Sequence, residues 1–288
     1  MTVRSFAKIN LGLEIVGRRP DGYHDIRTLF QTVSLADEID FEPAPAGVLE
    51  VAGDDPAIAW DRTNLVHRAA RLLQGTAGSA GGAKIAVRKS VPAGRGLGGG
   101  SSNAAATLLA LNGMWGLGLG SVELARLARG LGADVPFFLK GGLCLGEDIG
   151  DRLTPLPDLA PLACLFLFPG FPISTPSVYA GLDPSLTSPG KDSKIMRFLE
   201  SGDFGLLKND LERVIFRAHP ELERWTSFFR EQGAILSQVS GSGSAVYGLF
   251  PDTASAEEAR RRLPGSSDAR LATTLPRESY WAQLGAGA

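Results

Sequence analysis

The stretch Pro92-Ala93-Gly94-Arg95-Gly96-Leu97-Gly98-Gly99-Gly100-Ser101-Ser102 decides how this chain is read, because it suits neither a strand nor a helix. Glycine loses the most freedom on ordering, so five glycines between Gly94 and Gly100 mark a loop. A ligand can approach the N–H groups of such a loop without meeting a Cβ. The stretch runs straight into Asn103-Ala104-Ala105-Ala106, which predicts an apolar helix from about 102 to 112, with Ser101 or Ser102 as its cap. Glycine amides feeding a helix N-terminus make an anion site, and a diphosphate or triphosphate is its natural guest.

Three other patterns compete. Gly94-x-Gly96-x-x-Gly99 satisfies the dinucleotide fingerprint, but that loop follows a first strand tightly and this one comes about 90 residues in. The Walker loop is excluded, because Ser101 follows Gly100 where that motif requires lysine. A plain flexible loop fits poorly with a helix that begins at once.

Working outward, 84–91 alternates and reads as a strand leading into the loop. Further upstream, 2–16 and 26–42 read as strands, Pro20-Asp21-Gly22 as a turn, and Asn64 to Leu73 as a helix capped by Asp61 or Thr63. Downstream come a helix at 121–131, the compact segment Gly132 to Pro136, and strands at 142–146 and 162–168. The second half predicts helices near 176–181, 193–200, 203–214, 220–232 and 254–262, with strands near 235–240, 245–250 and 268–273. Strands and helices without a regular βαβ period indicate α+β, and the prolines at 155–161 suggest a boundary giving domains 1–157 and 158–288. Residues 285–288 are expected to fray.

Composition removes several classes of function. A net charge of -2 lacks the basic footprint of a nucleic-acid binder, and Arg260-Arg261-Arg262 reads as a solvated helix face. The longest apolar run, Leu162 to Phe168, is far short of the roughly 20 residues of a spanning helix, and no signal core precedes Leu13. Cys144 and Cys164 lie in apolar stretches without zinc-site spacing, so buried free thiols in a reducing cytoplasm are expected.

The loop and its helix resemble the second motif of the GHMP kinases, the superfamily of galactokinase, homoserine kinase and mevalonate kinase. Two further stretches are similar to that family in register. Ala7-Lys8-Ile9-Asn10-Leu11-Gly12-Leu13 places Lys8 and Asn10 on one strand face, and Ser240-Gly241-Ser242-Gly243-Ser244-Ala245 forms a glycine turn between apolar runs. The resemblance spans residues 5 to about 250. It implies a two-domain α+β fold, with a ribosomal-protein-like N-terminal domain containing an unusual left-handed βαβ crossover and a ferredoxin-like C-terminal domain. It implies ATP and Mg2+, with the phosphates wrapped by Pro92, Gly94, Gly96, Leu97, Gly98, Gly99, Gly100, Ser101 and Ser102. Asn64 and Lys89 fall where the family contacts the nucleotide. Lys8 would lie near the transferred phosphoryl group, and Asp134 in Gly132-Ala133-Asp134-Val135-Pro136 matches the family's proposed base. The Lys8 charge would keep Asp134 ionised.

Arg19-Pro20-Asp21-Gly22-Tyr23-His24, followed by Leu29-Phe30-Gln31, resembles the branch of the family that recognises a diphosphocytidyl-methylerythritol in non-mevalonate isoprenoid synthesis. Ile173-Ser174-Thr175-Pro176 and Lys208-Asn209-Asp210-Leu211-Glu212 agree with that branch. The resemblance then implies that Tyr23, His24 and Phe30 flank a cytosine and that Tyr179 covers its other face. It also implies that Asn10, Thr175, Gly241 and Ser242 contact the rest of the substrate. Arg95 stands where the family usually has a small residue, and the acidic run Glu147 to Asp151 departs from a glycine-rich pattern. Another GHMP small-molecule kinase, such as homoserine or mevalonate kinase, is the alternative, and a nucleotide-binding protein without catalysis is the third. The expected partner is a small molecule, with no nucleic acid and no membrane, and the expected state is a monomer or weak homodimer.

Overall fold

The computed structural model describes residues 1–76, 81–182, 193–265 and 267–285. Two long strands, β1 (Thr2–Arg18) and β2 (His24–Ala44), pair antiparallel from Thr2↔Asp40 to Arg18↔His24. The turn joining them turns at Gly22, whose φ of +88° suits a residue without a Cβ. Next come β3 (Leu49–Gly53), α1 (Leu65–Thr76) and β4 (Gly82–Arg88), with β3 and β4 parallel, so this segment is the βαβ unit. Then follow α2 (Gly99–Met114), α3 (Ser121–Arg129), a 3-10 turn at Val135–Leu139, β5 (Leu143–Glu147) and β6 (Arg152–Pro155). The first sheet runs β3-β4-β2-β5-β6, with β1 on β2. The second half contains β7 (Ala163–Phe168), α4 (Thr175–Ala180), α5 (Lys194–Ser201), α6 (Glu212–Ala218) and α7 (Pro220–Glu231). It continues with β8 (Leu236–Val239), β9 (Val246–Phe250), α8 (Thr253–Arg261) and β10 (Asp268–Thr273). Its antiparallel sheet has the order β10-β7-β9-β8, which is the ferredoxin-like arrangement.

β1 connects the packing of the whole molecule. Val3 and Phe6 belong to the core under α1 and α2, Ala7, Ile9 and Leu11 to the core between the two sheets, and Leu13 and Ile15 to the core of the second half. Each fully buried Leu, Ile or Phe contributes about 1.5–3 kcal/mol. Lys8 and Asn10 therefore lie where the strand passes from one half to the other. Register shifts at Phe6/Ala7 and Asn10/Gly12 flank that segment, as bulges do where a strand re-aims a side chain.

Several boundaries differ from the sequence reading. The stretch 203–214 is not one helix: a 3-10 turn at Phe204–Leu206 is followed by a bridge between Asn209 and Leu13, and α6 begins only at Glu212. Leu13 N–H donates to Lys208 O and Asp210 N–H to Leu13 O, so these groups serve β1 rather than a helix. α1 is capped by Asn64, whose Oδ1 accepts Val66 N–H, and not by Asp61 or Thr63. α2 begins at Gly99, with Gly98 before it at φ +69° and no side-chain cap, so Ser101 and Ser102 lie inside its first turn. The short strands β3 and β6 and the final helix α9 (Arg277–Leu284) carried no signal that was read. α9 returns to the first half, where Tyr280 and Leu284 join the core under α2. Both cysteines are buried and free, and Arg261 and Arg262 pair with Glu258 on an exposed face of α8. Of the segment expected to fray, 286–288 lies outside the described residues. No helix among the described residues is long and apolar enough to cross a membrane.

Candidate active site

The glycine-rich loop separates two cavities. The larger, of about 1060 Å³, opens between the halves, and the smaller, of about 330 Å³, lies between the loop, α1 and Lys89. Both linings include Gly96, Gly98 and Ser101, so the loop is their common wall.

The loop faces one way because its carbonyls are held from the other. Arg95 O accepts Ala245 N–H (3.2 Å), Gly96 O accepts Ser240 Oγ (2.9 Å), and Leu97 O accepts Lys8 N–H (3.0 Å). No acceptor among the described residues takes the N–H groups of Gly96 through Ser101. An uncapped helix start leaves its first amides to a ligand, whereas a serine cap would have competed for them. The third glycine turn is pressed against this loop. A Cβ on Gly243 would lie 2.0 Å from Arg95 C, and one on Gly96 would lie 2.0 Å from Ser240 O.

Lys8 and Asp134 meet at the loop. The Lys8 side chain is buried, its ammonium donates to Asn10 Oδ1 (2.6 Å) and lies 3.7 Å from Asp134 Oδ2, and Asp134 keeps 35% of its side-chain exposure. Asn10 is oriented by Thr28, which accepts from Asn10 Nδ2 (2.8 Å) and donates to Gly12 O (2.7 Å). Burial pulls the Lys8 pKa below the ordinary lysine value, and Asp134 partly restores it. Gly241 closes over the pair, since a Cβ there would sit 2.9 Å from Asn10 Oδ1 and 3.6 Å from Lys8 Nζ.

The aromatic residues divide. Tyr23 is exposed on the rim of the large cleft, while the rings of His24 and Tyr179 touch at 5.4 Å and 34°. A flat base can enter between those two rings only if they separate. Burial, aided by Arg18, keeps the His24 pKa below its usual value, and burial raises that of the Tyr179 hydroxyl. Phe30 is a nearly buried ring, 5.1 Å from Phe137 and beneath the Lys8 ammonium at 5.3 Å, and it lines the large cleft together with Tyr23, His24 and Tyr179. Thr175 and Ser242 share a hydroxyl contact of 2.7 Å at the cleft mouth.

On the other side, Asn64, Lys89, Pro92 and Gly94 through Ser101 line the smaller cavity. The Asn64 side chain is occupied internally, donating to Ala59 O (2.9 Å) while capping α1. Ser102 lines neither cavity; its buried hydroxyl accepts from Ser5 Oγ (2.7 Å). Arg95 turns toward the second half, where its Nη1 donates to Ser244 Oγ (3.0 Å). Sequence reasoning missed Arg18 on the cleft wall, Asp37 behind Lys89, and the role of Asn209, whose Nδ2 holds Val239 O and Gly241 O and so fixes the glycine turn. The available signal for Asp37 was its place in the alternating series Val33, Leu35, Ile39 and Phe41, where the other members are apolar.

Comparisons with known proteins place this geometry in a family. The model of the GHMP kinases N terminal domain matches residues 64–142, and that of the GHMP kinases C terminal domain matches 195–267. The chain is 38% identical to 4-diphosphocytidyl-2-C-methyl-D-erythritol kinase of Pelotomaculum thermopropionicum, covering 95% of this chain and 97% of the relative. It is 41% identical to the protein of that name from Chloroherpeton thalassium, covering 92% and 96%. A crystal structure of 4-(cytidine 5'-diphospho)-2C-methyl-D-erythritol kinase superposes with TM-score 0.83 at 40% identity, covering 95% of this chain and 99% of that one. A mevalonate kinase from Methanococcus jannaschii shares the fold, with TM-score 0.74 at 15% identity over 96% and 98% of the two chains. Three glycine and lysine motifs in register, one loop shared by two cavities, and relatives matched end to end lead to one assignment: this chain belongs to the 4-diphosphocytidyl-2-C-methyl-D-erythritol kinase family of the GHMP kinases.

Proposed function

We propose that this small-molecule kinase transfers the γ-phosphoryl group of ATP to the 2-hydroxyl of 4-diphosphocytidyl-2-C-methyl-D-erythritol, a step toward isoprenoid precursors by the non-mevalonate route. The observation that carries the reading is the shared wall: two cavities meet at Gly96, Gly98 and Ser101, with Lys8 and Asp134 beside the junction. ATP occupies the smaller cavity, with its phosphates on the amides of Gly96 through Ser101. The acceptor occupies the larger one. Its cytosine lies against Tyr23, His24 and Tyr179, and its hydroxyl points toward Asp134.

Phosphoryl transfer passes through a loose transition state, so positioning and charge neutralisation supply most of the catalysis. The Lys8 ammonium has three protons; Asn10 and Asp134 engage two, and the third is directed to an oxygen of the transferred group. Asp134 accepts the proton of the acceptor hydroxyl as its oxygen bonds to phosphorus and the bond to the β-phosphate oxygen breaks, releasing ADP. Phe30 and the buried face of β1 keep water from Lys8. Mg2+ fits this arrangement as a companion of ATP. It would be held largely by the ATP phosphates, with the Ser101 hydroxyl and Asp134, which line the adjoining cleft, as the protein donors. When bound, it neutralises charge on the β- and γ-phosphates. The chain divides into domains 1–157 and 158–288, with α9 packed back on the first, and works in the cytoplasm, where two buried free thiols are at home, as a monomer or weak homodimer.

Asp134→Asn tests the chemistry. Turnover should fall at least about a hundredfold, the scale of general-base catalysis, while ATP affinity stays within about twofold. Near-normal turnover in that variant removes Asp134 from its role.

A further inference from the structure

Asp37 lines neither cavity, yet its fully buried carboxylate holds together the parts of the smaller one. It stands on β2 opposite Ser5 of β1. Its Oδ1 accepts the backbone N–H groups of Ser90 (2.8 Å) and Val91 (2.7 Å), the two residues that deliver the chain to Pro92. Its Oδ2 accepts Asn103 Nδ2 (2.9 Å) from α2 and the ammonium of Lys89. Four protein donors thus converge on one carboxylate, as a buried charge requires. Asn103 completes the cluster: its Nδ2 also reaches Ser5 Oγ (2.9 Å), and its Oδ1 lies 3.3 Å from Lys89 Nζ.

The ammonium of Lys89 carries three protons, and Asp37 and Asn103 engage two. Lys89 lines the smaller cavity, and its Nζ lies 3.4 Å from where a Cβ on Gly99 would stand, against the first residue of α2. Because Asp37 neutralises it, Lys89 brings little net charge to a bound anion. What it brings is a donor whose direction is set.

We propose that Asp37 is a positioning residue for the nucleotide: it fixes the Lys89 ammonium and the entry of the glycine-rich loop together, so that the remaining Lys89 proton meets an acceptor atom of bound ATP. This rests on reading the smaller cavity as the ATP site. Lys89 and Asn103 line the smaller cavity and not the larger, which makes the effect selective for ATP.

The test compares Asp37→Asn, Lys89→Met and the double variant in the full chain, with KM for ATP and for the cytidyl acceptor measured separately. Each single variant should raise the KM for ATP about tenfold to a hundredfold, the equivalent of one or two charge-assisted hydrogen bonds, with the acceptor KM within about twofold. An asparagine Oδ1 can still accept the Ser90 and Val91 N–H groups, so what both single variants lose is the Lys89 donor, and the double variant should be no worse for ATP than either single one. The double variant also removes both buried charges, so it carries the test if Asp37→Asn does not fold; its ATP KM should then match that of Lys89→Met. A wild-type ATP KM in folded Asp37→Asn, or additive losses in the double variant, overturns the proposal. If Lys89→Met raises the acceptor KM and leaves that for ATP unchanged, the assignment of the cavity itself fails.

Discussion

Gly243→Ala probes the contact on which the site depends, that between the glycine turn of the second half and the loop of the first. An added Cβ would lie 2.0 Å from Arg95 C and 2.2 Å from both Arg95 O and Gly96 N, all of them backbone atoms that cannot rotate away. Restoring ordinary contact means separating the two turns by more than an ångström. The bonds from Ala245 N–H to Arg95 O and from Ser240 Oγ to Gly96 O would then lengthen beyond hydrogen-bonding range. Overpacking costs about 1–3 kcal/mol and each lost bond about 0.5–1.5 kcal/mol, together about 2–6 kcal/mol. If the halves stay closed, thermal unfolding shows the loss, at about 2–4 °C per kcal/mol for a protein of this size. If the loop gives way instead, its amides leave the phosphates and the KM for ATP rises tenfold for each 1.4 kcal/mol. Differential scanning calorimetry and ATP-saturation kinetics on the same preparation separate the two routes. Gly113→Ala is the control: it lies in α2 with nothing within 4 Å of the new Cβ, and it should be neutral or stabilising. Wild-type melting together with a wild-type KM for ATP in Gly243→Ala refutes the contact.

Two further outcomes follow from the cleft. Tyr23→Ala removes an exposed ring from the rim, so the KM for the cytidyl acceptor should rise about tenfold, the scale of one base–aromatic stack, while that for ATP changes little; equal changes in both constants displace the cytosine from this rim. The proposed mechanism needs Lys8 as the ammonium, and burial holds its pKa below the ordinary 10.5. Its proton is therefore lost as pH rises through a value lower than that of a free lysine, and kcat should decline there; a profile flat up to the ordinary lysine range contradicts the role given to Lys8.

Much of this architecture is legible in the sequence, and the exceptions have a common cause. The glycine loop, the Lys8 strand and the turn at Gly241 announce themselves because their residue types answer local demands: amides without a Cβ, and a strand face carrying Lys8 with Asn10. The start of α2 at Gly99 was hidden because glycine and serine read as loop and cap, whereas the helix keeps its N-terminus uncapped. The break at 207–211 was hidden because Asn209 and Asp210 gain their bonds from Val239, Gly241, Leu13 and Ile15, all remote in sequence. Phe30 lines the large cleft with Tyr23 and His24, but nothing local announces that its strand face also carries it under Lys8 and against Phe137. Asp37 showed only as a polar residue among the alternating Val33, Leu35, Ile39 and Phe41, and nothing local says that it receives four donors. What the chain leaves unsaid locally is where long-range pairing spends each polar group.

The most direct test of the account is ADP release with magnesium-ATP, comparing 4-diphosphocytidyl-2-C-methyl-D-erythritol with homoserine and with mevalonate as acceptor. Turnover with the cytidyl substrate alone is the predicted result, since the proposed acceptor cleft carries Tyr23, His24 and Tyr179 at one end as surfaces for a flat base. Turnover with homoserine or mevalonate, and none with the cytidyl substrate, contradicts it.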